Sequence, residues 1–138
     1  MIDISVLEKS KYLKGLLVIA KKDNQLNETE KKFIRGIAKK LGFASDFYED
    51  TLKSLLANKY ITEDPIEFSD LKIAQSFITD GLRLAFSDAS VTENELLWLK
   101  ETAKANGLDE NWFNERLKLY KETPSKSSIS EYALYSII

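Results

Sequence analysis

The chain has 138 residues, of which 43% are hydrophobic and 30% charged, and its formal net charge is −2. These proportions are typical of one soluble globular domain that is large enough to bury its own core. The chain contains no cysteine and no histidine, which excludes disulfide bonds, thiolate or imidazole metal sites and every mechanism that needs either side chain.

The N-terminal sequence MIDISVLEKSKYLKG carries charges throughout, unlike a secretory signal. The longest apolar run, LLVIA, is too short to span a bilayer. We therefore expect a cytoplasmic protein, and association with a membrane through partner proteins stays open.

Apolar residues recur at helical spacing along the chain, and no segment alternates convincingly as a strand. The pattern predicts an all-α fold. Its core-facing stripes are, in chain order, Leu13, Leu16, Leu17 and Ala20; Phe33, Ile34, Ile37, Ala38 and Leu41; Leu71, Ala74, Phe77, Ile78, Leu82 and Ala85; and Phe113, Leu117 and Tyr120.

The chain also resembles itself. The segment AKKDNQLNETEKKFIRGIAKKLGF (20–43) aligns without a gap with AFSDASVTENELLWLKETAKANGL (85–108), at a shift of 65 residues. A gapless match that continues into the following helix indicates internal duplication. We predict a single domain over residues 1–138, a bundle of about six to seven helices built from two three-helix repeats at about 5–58 and 69–122.

Two segments fall outside the repeats. Residues 59–68 are predicted to be a linker, because Pro65 disfavours a helical conformation at the residue before it, and Ser69 or Asp70 can cap the next helix. After Pro124, the capping-box pattern at Ser128 to Glu131 predicts a short final helix at about 129–137, packed on the bundle.

The two polar loops of the repeats can be explained by helix capping alone. Thr92 with Glu95 forms the capping-box pattern, and Asn27 with Glu30 forms a variant of it. The glycines at positions 42 and 107 fall where the preceding helices are predicted to end, which suits a left-handed C-terminal cap.

The same loops also offer carboxylates for a metal ion. Asp23, Glu30, Asp88 and Glu95 are the predicted ligands of a hard divalent cation, Ca²⁺ or Mg²⁺, because such ions prefer oxygen donors. The first loop is not an EF-hand, since the positions of the turn glycine and the closing acid hold Glu28 and Ile34. No catalytic or cofactor-binding residues are predicted, because no nucleophile or phosphate-binding loop accompanies the acids.

The pattern resembles the tellurite-resistance TerB-like family, which is related to a region of DjlA-type J-protein co-chaperones. The family pattern usually consists of Ala-x-x-Asp, a polar loop, a helix with Glu in its first turn, and Leu-Gly followed by an apolar residue. The residues that match this pattern here are Ala20, Asp23, Glu30, Ile34, Ile37, Ala38, Leu41, Gly42 and Phe43. The second half departs from it where Leu41 becomes Asn106. The resemblance implies a compact helical bundle that works in stress-response or membrane-associated complexes and whose acidic clusters bind metal.

We therefore expect a non-enzymatic scaffold or interaction module with a protein partner and no nucleic-acid ligand. Two alternatives stay open at this point. One is a metal-dependent enzyme acting on phosphate or carboxylate substrates. The other is docking on an anionic membrane, because residues 1–42 contain 10 Lys and Arg against 5 Asp and Glu, whereas residues 43–138 contain 10 against 17.

Overall fold

The computed structural model describes residues 4–22, 28–57, 64–86 and 92–122. These ranges contain α-helices and no strand, so the predicted all-α bundle is confirmed. The helices are α1 (Val6–Lys22), α2 (Glu28–Lys40), α3 (Ser45–Ala57), α4 (Leu71–Ala85), α5 (Glu93–Ala105) and α6 (Glu110–Glu122). The final helix predicted for 129–137 lies outside the described residues. No helix in the described ranges is both long enough and apolar enough to cross a membrane.

Helix bounds recur at the offset that the sequence alignment uses. The helices α2 and α5 begin 65 positions apart and end 65 positions apart, as do α3 and α6. The caps recur as well, because Gly42 and Gly107 both adopt a positive φ, of 91° and 75°. Beyond each glycine, the next N–H donates back into the helix, from Phe43 to the Ala38 carbonyl and from Leu108 to the Ala103 carbonyl. The predicted glycine caps are confirmed, whereas the duplication stays an interpretation of the sequence.

The helices α1 and α4 are the centre of the bundle and run side by side in the same direction. At their starts, the Glu8 carboxylate accepts the N–H of Ser69 at 2.5 Å, just before the cap residue of α4. One turn further along α1, Tyr12 packs against Phe77. The N-terminal ends of both central helices therefore lie at the same end of the molecule. Around this pair, α2 and α3 contact α1, while α5 and α6 contact α4.

The predicted core stripes are buried, except that Leu117 is partly buried and Leu71 is exposed. Leu71 was expected to face the core, but 57% of its surface is exposed. The expectation was wrong because Leu71 is the first residue of α4, directly after Asp70, whose carboxylate accepts the Lys72 N–H and caps the helix. The side chain therefore lies at the end of the bundle, before α4 enters the core at Ile73.

The segment that leads into α4 is fastened to its neighbours by one amide side chain. Asn106, at the end of α5, accepts the N–H of Phe68 at 2.7 Å and donates to the Ile66 carbonyl at 2.7 Å. The Phe68 ring then packs on Phe77 and on Tyr12. Asn106 stands at the position that Leu41 occupies in the first half, so this difference between the two halves has a structural role. It satisfies main-chain polar groups that lie partly inside the protein.

Candidate functional site

The four predicted metal ligands are only partly described by the structure. Glu30 and Glu95 are the third residues of α2 and α5, and both side chains are buried, with 2% of their surface exposed. Asp23 and Asp88 lie outside the described residues. The structure therefore places two of the four carboxylates at equivalent positions, and the grouping of all four stays a prediction.

Glu95 has a structural role that accounts for its burial. Its Oε1 atom accepts hydrogen bonds from the main-chain N–H and the hydroxyl of Thr92, both at 3.0 Å. In return, the Thr92 hydroxyl oxygen accepts the N–H of Glu95 at 3.2 Å. The predicted capping box is confirmed for α5. Its counterpart in α2 depends on Asn27, which lies outside the described residues.

Within residues 4–22, 28–57, 64–86 and 92–122, no three acidic side chains lie close enough together to hold a metal ion. A cation site built from the predicted ligands would therefore depend on Asp23 and Asp88. The carboxylate chemistry suits Ca²⁺ or Mg²⁺, and we retain the site as a prediction.

A buried polar cluster joins the two central helices, and no sequence pattern predicted it. The Tyr12 hydroxyl donates to Asp80 Oδ2 at 2.5 Å and lies 2.8 Å from the Ser76 hydroxyl. Because a phenol carries one hydrogen, which Asp80 receives, the Ser76 hydroxyl is the donor to Tyr12. Tyr12 and Asp80 have no solvent exposure. Burial, reinforced by the neighbouring Asp80 charge, raises the pKa of Tyr12 well above its ordinary value.

This cluster is suited to holding helices together rather than to acting on a substrate. Its phenol stays protonated, its carboxylate is already hydrogen-bonded, and both are sealed in the core. One sequence signal could have predicted that Asp80 is buried, because α4 is apolar or uncharged on nearly every side from Ile73 to Leu82. A helix that is buried all around must bury its single acidic residue too.

A second polar contact ties α4 to α6. The Arg83 Nε atom donates to the Tyr120 hydroxyl at 2.9 Å. The guanidinium also lies 5.8 Å from the centroid of the same ring, within the range of a cation–π interaction. Arg83 therefore contributes to packing of the second half.

Apolar side chains are exposed at the end of the molecule where α1 and α4 begin. Val6, Leu7 and Leu71 expose 73%, 66% and 57% of their surfaces. Leu7 precedes Glu8, and Leu71 follows Ser69 by two positions. The hydrogen bond between Glu8 and Ser69 therefore holds these exposed side chains at one end of the bundle. We call Val6, Leu7 and Leu71 the apolar end.

No protein-family model, curated protein or solved structure significantly matches the chain. The TerB-like resemblance therefore depends on the sequence pattern described above, and it stays a prediction.

Proposed function

We propose that this protein is a non-enzymatic interaction module, a TerB-like helical scaffold that binds another protein in a stress-response complex. The observation that carries the proposal is the apolar end. Single exposed apolar residues are common on protein surfaces, but these three lie at one end of the two central helices. Contact with a partner would remove them from water, at about 25 cal/mol for each Å² buried.

The scaffold beneath the apolar end is firmly fixed. Glu8 joins the first turn of α1 to the residues before α4, and the Lys11 amine donates to the Glu67 carbonyl at 3.0 Å. Asn106 holds the same segment from the other side. A surface that is already ordered loses little conformational entropy on binding, which supports its use for docking.

The buried polar residues support the same proposal. Tyr12, Ser76 and Asp80 bond to one another between α1 and α4, and Glu95 caps α5. These four polar side chains thus all stabilise the bundle, and a stable bundle is what a scaffold requires.

Affinity capture from a cell extract, with quantitative mass spectrometry, tests the proposal. The bait proteins are the wild type, the double variant Leu7→Ser/Leu71→Ser and the control Leu97→Ser, which alters an exposed leucine of α5. We expect a partner that the wild type and the control capture equally and that the double variant loses. A set of captured proteins that does not depend on Leu7 and Leu71 would refute the proposed surface.

The cation site at Asp23, Glu30, Asp88 and Glu95 is a separate proposal. If it forms, millimolar Ca²⁺ or Mg²⁺ raises the melting temperature, because a ligand that binds only the folded state stabilises it. The double variant Asp23→Asn/Asp88→Asn should abolish the increase. An unchanged melting temperature in the wild type would rule the site out.

A further inference from the structure

We draw no further inference here: the strongest candidate, the apolar surface patch at the start of α3 where the half-exposed ring of Phe47 stacks on Phe43 with ring centroids 5.1 Å apart, carries none, because nothing in the structure shows what covers it.

Discussion

Tyr12 of α1 packs edge to face against Phe77 of α4, with ring centroids 5.4 Å apart and ring planes at 83°. The two residues are 65 positions apart, which is also the offset between α2 and α5. They therefore occupy equivalent positions in the two predicted repeats and meet where the halves join. Gly15, one turn after Tyr12, makes room for this contact, because a Cβ atom there would collide with the Phe77 ring.

Removing the Tyr12 hydroxyl should weaken the link between the central helices. Tyr12→Phe preserves the ring contact with Phe77 but deletes the donor to Asp80 and the acceptor for Ser76. We expect a loss of about 2 kcal/mol in the free energy of unfolding, because a buried charged group loses a hydrogen-bond partner. Urea denaturation measures the loss. Tyr48→Phe, on a partly buried tyrosine of α3, is the control, and an equal loss in both variants would contradict the role of the cluster.

Asn106 should be needed for order in the segment before α4. Asn106→Leu restores the residue type of position 41 but leaves the Ile66 carbonyl and the Phe68 N–H without their partner. We expect a loss of about 1–3 kcal/mol in the free energy of unfolding, together with faster amide exchange at Phe68. Asn94→Leu, at an exposed position of α5, should have a much smaller effect. Slow exchange at Phe68 in Asn106→Leu would show that other contacts hold the segment.

The capping box of α5 should contribute to stability whether or not a metal is present. Thr92→Ala removes the acceptor for the Glu95 N–H, and we expect a loss of about 1 kcal/mol. Thermal or urea unfolding in Ca²⁺ and in a chelator measures it. If the loss appeared only in Ca²⁺, Glu95 would act chiefly as a metal ligand, contrary to the geometry around Thr92.

The ion pair between α2 and α3 should make stability depend on pH in the acidic range. The hydrogen bond from Arg35 lowers the pKa of Glu49 below its ordinary value. A lowered pKa in the folded state means that the unfolded chain takes up the proton first. The stabilisation is therefore complete above the unfolded-state pKa, about 4.3, and is lost as pH falls through the folded-state pKa.

Glu49→Gln should flatten this dependence. Urea midpoints at pH 7 and pH 3 should differ less in Glu49→Gln than in the wild type, with the variant less stable at pH 7. Glu115→Gln, at an exposed position of α6, should retain the dependence of the wild type. The size of the effect is small because both partners are more than one third exposed. A dependence that is identical in wild type and Glu49→Gln would contradict the assignment.

The features that the sequence predicted correctly are those that neighbouring residues determine. Helical spacing predicted the helices, Gly42 and Gly107 predicted two helix ends, and Thr92 with Glu95 predicted a cap. Each depends on residues within one or two turns of each other. The spacing failed at Leu71, because periodicity gives the face of a helix but not how deeply its first turn enters the bundle.

The features that the sequence did not reveal depend on which helices adjoin. The hydrogen bond from Tyr12 to Asp80 spans 68 positions, and the hydrogen bond from Phe68 to Asn106 spans 38. The residue types do not indicate these partners. A single Asp in a helix, for example, is more often exposed than buried. The apolar end likewise depends on which helices adjoin, because Leu7 and Leu71 lie at the same end of the molecule only once α1 and α4 run in the same direction.

The most direct test of the interaction module is amide hydrogen exchange on the protein alone and with the captured partner bound. The first amides of a helix have no acceptor within the helix. Side chains cap the N–H groups of Glu8 and Lys72, but the amides of Leu7 and Leu71 themselves should exchange rapidly in the free protein. We predict that the partner slows exchange in the first turns of α1 and α4. Protection confined to other helices, with the starts of α1 and α4 unchanged, would contradict binding through the apolar end.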